Sequence, residues 1–244
     1  MQYKYDNIKI NYEDIGSGED VIVLLHGWGQ NIEVMKPIGK EFENNFRVIY
    51  IDFPGFGASD EPNDGWCVDD YAKMLKVFLD DISVKNPILI GHSFGCRVSI
   101  CFNLISDVKK MVFTGAAGIR PKRGINYYVK VYTYKAFKFI KKLPIVKRFK
   151  FADNAGSEDY RNASDVMRKT LVKVVNEDLR HHLSKIKCPV LMIWGKNDEA
   201  TPISDGRIME SLIEDSALIE IEGTHYAYLE NINYFNVVVK EFLK

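Results

Sequence analysis

The chain has 244 residues, of which 46% are hydrophobic and 27% charged, the composition of an ordinary globular protein with one large domain. Its 33 basic and 33 acidic side chains cancel, so the bulk charge gives no reason to expect a nucleic-acid partner. No apolar run approaches the ~20 residues of a membrane-spanning helix, so we expect no transmembrane segment. The polar amino terminus has no signal-peptide pattern and the cysteines have no CxxC spacing. These features predict reduced thiols and a cytoplasmic location.

The first elements in chain order are strands of a sheet. Residues 3–15 alternate between apolar and polar side chains, which predicts two short antiparallel strands at a sheet edge. The apolar runs 21–25 and 47–51 predict two strands of a parallel sheet that is covered on both faces, with a helix between them that ends near Phe42.

A serine stands at the centre of a strand, turn and helix. The apolar run 88–90 predicts a buried strand, a helical pattern follows, and between them lies Gly91-His92-Ser93-Phe94-Gly95. A turn this tight strains the backbone, so the residues two before and two after the serine must lack bulk. The turn lifts the hydroxyl clear of the strand, and the next helix directs its backbone N–H groups toward negative charge there. We interpret Ser93 as a nucleophile, against the alternative of a plain strand-to-helix turn.

The rest of the chain continues the alternation of strands and helices, with one interruption between 115 and 187. The patterns predict a helix over 68–82, strands over 110–114, 190–194 and 217–221, a helix over 203–213 and a last helix that ends at Leu243. The fold class is therefore α/β, a mostly parallel, twisted sheet of about eight strands with helices on both faces. Ligand sites of such sheets lie beyond the carboxyl ends of the strands. Four side chains follow such ends: His26, Ser93, Asp198 and His225.

A serine hydroxyl needs a base, usually histidine, and the base needs a carboxylate that fixes its tautomer. The histidines of the chain are His26, His92, His181, His182 and His225. His225 is the best base, because His92 points elsewhere on the turn and the adjacent pair of histidines fits a solvated helix face. Asp198 follows its strand in a Gly-Lys-Asn-Asp turn and is preferred to Glu199, whose longer side chain begins one residue later.

The chain order Ser93, Asp198, His225 resembles that of the α/β-hydrolase fold family. The resemblance covers essentially the whole chain and is carried by four further motifs. The first two are His26-Gly27-Trp28-Gly29, which resembles the oxyanion loop, and Asp52-Phe53-Pro54-Gly55-Phe56-Gly57-Ala58-Ser59, which resembles the D-x-P-G-x-G-x-S loop. The other two are Trp194-Gly195-Lys196-Asn197-Asp198, which resembles the acid turn, and Gly223-Thr224-His225 with Glu230, which resembles the histidine loop. Cys96 departs from the pattern, since many members have a second glycine there. We expect crowding at Cys96 rather than lost function.

The resemblance implies a role for each residue of the site. Ser93 would attack an acyl carbon, His225 would take its proton, and Asp198 would orient His225. The backbone N–H groups of Trp28 and Phe94 would form the oxyanion hole. No metal and no organic cofactor are implied.

Two further side chains are candidates for substrate binding. One is His26, whose alternative role is to brace the oxyanion loop, and the other is Tyr226, which follows the candidate base. Tyr226 is one of four aromatic residues that flank the site in sequence and could line an acyl pocket; the others are Trp28, Phe53 and Phe94. Core packing is an equal alternative for Phe53.

The resemblance also implies a division of the chain. Residues 1–118 and 188–244 would form the α/β-hydrolase core, and residues 119–187 a helical cap over its rim. Residues 119–150 contain eleven Lys or Arg and no acidic residue. One arc of a helical projection holds Lys130, Lys135, Lys138, Lys141 and Lys142. This face is either solvated, with aromatic residues packed below it, or it attracts anionic substrates or an acidic membrane surface.

The sequence therefore predicts a serine hydrolase that cleaves a small-to-medium carboxylic ester through an acyl-serine intermediate. A C–C bond hydrolase, an aminopeptidase, a lactonase and an acyltransferase share the same chemistry and remain open. A serine nucleophile in place of an aspartate argues against a dehalogenase or an epoxide hydrolase. An alternative of another class is a non-catalytic member of the fold that binds a small ligand in its pocket.

Overall fold

The computed structural model describes residues 1–120, Thr133 and residues 157–244. Within them one eight-stranded sheet has the order β1-β2-β4-β3-β5-β6-β7-β8. The strands are β1 (Gln2–Tyr5), β2 (Ile8–Ile15), β3 (Val21–Leu25), β4 (Arg47–Ile51), β5 (Ile88–His92), β6 (Lys110–Thr114), β7 (Val190–Gly195) and β8 (Ser216–Ile221). β1 and β2 are antiparallel to their neighbours, and every pairing from β4 to β8 is parallel. The predicted fold class is confirmed.

The helices of the described residues are α1 (Ile32–Gly39), α2 (Val68–Asp81), α3 (Phe94–Phe102), α4 (Glu158–Asn162), α5 (Asp165–Asn176), α6 (Arg180–Leu183), α7 (Ile203–Leu212), α8 (Ala227–Glu230) and α9 (Ile232–Leu243). The last helix ends at Leu243 as predicted and begins at Ile232, because Asn231, with φ −128° and ψ 41°, leaves the helical region and separates α8 from α9. α1 ends earlier than the predicted limit near Phe42.

Each face of the sheet packs against its own hydrophobic core. Side chains alternate along β3, so Ile22 and Leu24 point to one face and Val23 and Leu25 to the other. The first face packs against α1, α8 and α9, and the second against α2, α3 and α7. Helices cover both faces of the sheet, and the carboxyl ends of the parallel strands lie together at one edge of it.

The described part of the predicted cap contains α4, α5 and α6. Ser164 caps α5 as expected, since its Oγ accepts a hydrogen bond from the backbone N–H of Met167 at 3.2 Å. The predicted basic face of 119–150 lies almost entirely outside the described residues. Among those that are described, no helix combines the length and the apolar character needed to cross a membrane.

Candidate active site

Ser93 lies between β5 and α3 with φ 49° and ψ −105°, a backbone conformation that side-chain-bearing residues rarely adopt. A Cβ on Gly95 would lie 2.0 Å from the carbonyl oxygen of Leu25, and one on Gly91 would lie 2.9 Å from the backbone nitrogen of Cys96. Both glycines are therefore required by the close approach of backbone, as the five-residue pattern predicts.

Cys96 is accommodated without displacing the turn. Its side chain is fully buried, and Sγ donates a hydrogen bond to the carbonyl oxygen of Gly91 at 3.1 Å. Burial raises the pKa of the Cys96 thiol, so it stays protonated and serves as a small buried group.

The candidate base and the candidate acid are in direct contact. His225 Nδ1 lies 2.8 Å from Asp198 Oδ2, and the side chain of Asp198 is fully buried. Burial raises the pKa of Asp198, but hydrogen bonds from His225 and Thr201 outweigh it and hold that pKa below its usual range. The neighbouring Glu199 is exposed to solvent. The structure thus brings Asp198, and not its rival, to the imidazole.

Ser93 and His225 line the same cavity. Because Nδ1 of His225 faces Asp198, Nε2 is the ring nitrogen that remains for Ser93. No hydrogen bond joins Ser93 Oγ to His225 among the described residues. Such bonds are often long before substrate binds and shorten in the reacting complex, so the arrangement is compatible with base catalysis.

Thr201 is a residue of the site that sequence reasoning missed. Its Oγ1 lies 2.9 Å from Asp198 Oδ2, 3.0 Å from the carbonyl oxygen of Gly115 and 3.2 Å from His225 Nδ1. A threonine three residues after the acid carries no pattern of its own. The one indication in the sequence was that an acidic side chain in a tight turn needs hydrogen-bond donors close to it in the chain.

His92 is the second missed residue. Its ring lies between two loops of the site, with Nδ1 3.0 Å from Gln30 Oε1 and Nε2 3.0 Å from the carbonyl oxygen of His225. Burial, followed by the nearby His225, lowers the pKa of His92 to about 3, and a neutral ring donates to one of these two acceptors. His92 therefore positions the backbone of the candidate base relative to the oxyanion loop.

The expected oxyanion donors, the backbone N–H groups of Trp28 and Phe94, belong to residues that line the cavity. Phe94 is the first residue of α3, where backbone N–H groups have no partner inside the helix. The loop that carries Trp28 is fixed by Gln30, whose Oε1 accepts a hydrogen bond from the backbone N–H of Gly27 at 2.8 Å.

His26 is not among the residues that line the cavity, so the structure favours its role as a brace of the oxyanion loop over contact with substrate. The side chain is completely buried; Nδ1 donates to the carbonyl oxygen of Gly27 at 2.7 Å, and Nε2 accepts from the backbone N–H of Phe53 at 3.0 Å. Burial lowers the pKa of His26 to about 4. A neutral imidazole with these partners braces the oxyanion loop against the loop that follows β4. Tyr226, in contrast, lies at the cavity with 43% of its surface exposed.

The cavity has a volume of about 500 Å³. Its apolar wall includes Trp28, Phe94, Ile119, Leu171, Val174 and Val175, and its charged groups are Arg97, Asp159 and Asp205. Phe53 is not part of it, since that ring is fully buried in the core. Within the described residues no cluster of three or more His, Cys, Asp or Glu has the geometry of a metal site.

Comparisons with known proteins agree with this arrangement. A family model described as alpha/beta hydrolase fold matches residues 20–130. The chain is 28% identical to the 2-hydroxy-6-oxononadienedioate/2-hydroxy-6-oxononatrienedioate hydrolase of Escherichia coli, over 97% of this chain and 91% of that protein. Among solved structures, the esterase EaEST from Exiguobacterium antarcticum has a TM-score of 0.77 at 24% identity, covering 97% of this chain and 96% of that one. The enol-lactonase from Burkholderia xenovorans LB400 has a TM-score of 0.79 at 17% identity, covering 100% and 99%.

The sheet order, the strained serine turn after β5 and the histidine loop after β8 define an α/β protein with its candidate site on the carboxyl rim of a parallel sheet. The family match and the structural neighbours share this fold over the length they cover. The chain has the α/β-hydrolase fold.

Proposed function

We propose that this protein is a serine hydrolase that cleaves a small-to-medium carboxylic ester through an acyl-serine intermediate. The observation that carries the proposal is the position of Ser93 on a strained turn in the cavity that His225 also lines, with Asp198 bonded to the other side of the imidazole. A nucleophile, a base and an acid that orients the base are the groups that acyl transfer requires.

In the proposed reaction, Ser93 Oγ attacks the carbonyl carbon while His225 Nε2 takes its proton. The bond to the leaving alcohol then breaks, and His225 returns the proton to that alcohol. Water adds to the acyl-serine by the same route, and the acid is released as Ser93 regains its proton. The backbone N–H groups of Trp28 and Phe94 would stabilise the oxyanion of both steps, each by ~3 kcal/mol.

A second candidate is hydrolysis of a C–C bond next to a ketone. The similarity to the Escherichia coli dienedioate hydrolase over almost the whole chain favours it. The residues above would then serve a substrate whose leaving group is a carbanion in place of an alkoxide.

The free cysteines, Cys67, Cys96, Cys101 and Cys188, fit a reducing compartment, and we propose a cytoplasmic location.

The direct test is labelling of the folded protein with a fluorophosphonate probe, followed by mass spectrometry of the modified peptide. We expect one adduct, on Ser93, that disappears in Ser93→Ala and is strongly slowed in His225→Gln. Absence of a Ser93 adduct in the wild-type protein would contradict the proposal. Nitrophenyl esters of increasing chain length, tested beside a 2-hydroxy-6-oxo-dienoate, then separate ester hydrolysis from C–C bond hydrolysis.

A further inference from the structure

Arg97 is a buried cation in the wall of the cavity that holds Ser93. It lies in the first turns of α3, four residues after Ser93, and both residues line the cavity. Only 5% of its surface is exposed, and it contributes to the cavity lining. The sequence pattern of the helix that follows the serine turn does not predict a charged residue at this buried position.

Within the described residues the guanidinium of Arg97 is only partly satisfied. Nη1 donates to the backbone carbonyl oxygen of Glu177 at 3.0 Å, and among the described residues this is the one hydrogen bond of its side chain. No carboxylate of the described residues lies within ion-pair distance of it. An arginine has five N–H donors, so the residues that the structure describes leave most of its donor capacity unused.

The acidic groups that act on Arg97 among the described residues form no ion pair with it. Burial lowers the pKa of Arg97, and Glu177, Asp178 and Asp205 raise it through longer-range attraction. An arginine side chain stays charged in proteins. Asp205 also lines the cavity, and burial raises its own pKa. A charged guanidinium that is buried without an ion-pair partner is costly, and a bidentate carboxylate is the partner that best fits its planar fork.

We propose that Arg97 is a specificity-determining residue that binds a carboxylate of the substrate, one helical turn from Ser93. The inference rests on the proposed function, because it assumes that the cavity holds the ester that Ser93 attacks. Ser93 and Arg97 line one cavity of about 500 Å³, so a small substrate would carry both the scissile carbonyl and the carboxylate. The substrate class is therefore the monoesters of short dicarboxylic acids, such as glutarate.

Binding is measured first, in a Ser93→Ala protein that does not turn over. Calorimetry compares monomethyl glutarate, which has a free carboxylate, with dimethyl glutarate, which has none. A charged pair in a buried site predicts that the monoester binds about tenfold or more tightly than the diester. In the Ser93→Ala protein, the second substitution Arg97→Gln removes that preference. Arg97→Lys keeps part of it, since the positive charge remains but the bidentate geometry of the guanidinium is lost.

Turnover of the same two esters is measured in the wild-type protein and its variants, each checked for an unchanged melting temperature. The ratio of kcat/KM for monoester over diester falls to about one in Arg97→Gln, while Arg180→Gln, which changes an exposed arginine outside the cavity lining, leaves the ratio unchanged. If Arg97 only anchors the backbone at Glu177, both esters lose activity equally, and that result overturns the proposal.

Two more outcomes separate this proposal from the proposed function. No preference for the monoester in either wild-type turnover or Ser93→Ala binding overturns the role of Arg97, whether or not the Arg97 variants fold. A binding preference that depends on Arg97, in a protein that hydrolyses neither ester, supports the carboxylate site and contradicts the ester hydrolase.

Discussion

Thr201 Oγ1 lies 2.9 Å from Asp198 Oδ2, the same oxygen that faces His225 Nδ1 at 2.8 Å. The second oxygen of Asp198 accepts hydrogen bonds from the backbone N–H groups of Ala200 and Thr201, each at 2.9 Å. A buried carboxylate with this many donors is stabilised in its charged form. The negative charge of Asp198, which would orient the His225 imidazole, is thus stabilised by the turn that Asp198 begins and that contains Ala200 and Thr201.

The substitution Thr201→Val tests the hydroxyl of that turn. Valine keeps the shape of threonine but leaves Asp198 Oδ2 with one donor fewer, so the carboxylate holds His225 less firmly. We expect kcat for a nitrophenyl ester to fall about tenfold, the effect of one hydrogen bond to a charged group. Thr201→Ser, which keeps the hydroxyl, is the control and should retain most of the activity. Equal rates for the valine variant and the wild type would contradict this role.

The substitution Asp198→Asn tests the acid, with Glu199→Gln as a matched control on the next residue. Asparagine fits the same space but does not hold the imidazole in the tautomer that accepts the serine proton, and the expected loss in kcat is ~10⁴-fold. Glu199 is exposed, so Glu199→Gln should leave kcat unchanged. The measurement is steady-state ester hydrolysis, and a large loss in the Glu199 variant instead would reverse the assignment of the two acids.

The strands and the three candidate triad residues could be predicted because each has a local signal. Continuous apolar runs indicate strands covered on both faces, and Ser93 is marked by the glycines on either side of it. Asp198 and His225 follow strand ends, and the topology brings them to one rim. Thr201 and His92 had no such signal, because their partners, the carbonyl oxygens of Gly115 and of His225, lie 86 and 133 residues away in sequence.

His26 illustrates a second limit of sequence reasoning. A histidine in the predicted oxyanion loop is compatible both with substrate contact and with a structural role. Only its complete burial and its two backbone partners decide between them. The number of helices at the carboxyl terminus was equally beyond the pattern, because the apolar stripe continues across the break at Asn231.

The backbone of Gly115 passes close to the candidate acid and base. Its φ is +49°, and a Cβ there would lie 3.0 Å from His225 Nδ1 and 3.2 Å from Asp198 Oδ2. We expect Gly115→Ala to push this pair apart by a few tenths of an ångström and to lower kcat tenfold or more, since small displacements of reacting groups are costly. Backbone strain should also lower the free energy of unfolding by about 1 kcal/mol.

Gly118→Ala is the control for the effect of strain alone. Gly118 also has a positive φ, of 157°, but a Cβ there would meet the ends of two apolar side chains, Met209 Cε at 3.1 Å and Ile100 Cδ1 at 3.2 Å. Urea unfolding should show a loss of stability in both variants, whereas ester hydrolysis should show a loss of kcat only in Gly115→Ala. Equal losses of kcat in the two variants would mean that general strain, and not contact with the pair, explains the effect.

The last prediction concerns the pH dependence of stability that arises from His26. Burial lowers its pKa to about 4 in the folded protein, whereas an unfolded histidine has a pKa of ~6.5. Protonation of the folded state would break the hydrogen bond that Nε2 accepts from Phe53. As the pH falls from ~6.5 to ~4, the unfolded chain takes up a proton that the folded chain does not, so the free energy of unfolding decreases by about 1.4 kcal/mol per pH unit.

The contribution of His26 is complete above pH ~6.5, and its loss amounts to about 3 kcal/mol by pH ~4, below which the slope from this residue disappears. Carboxylates and the other histidines add their own slopes, so the test is the difference between the wild type and His26→Gln, whose side chain does not titrate. Urea unfolding at half-unit steps from pH 7 to pH 4 should give a variant of lower stability at neutral pH and a shallower slope, by about one proton. Parallel curves for the two proteins would show that His26 is protonated in the folded state and that its Nε2 does not accept the Phe53 hydrogen bond.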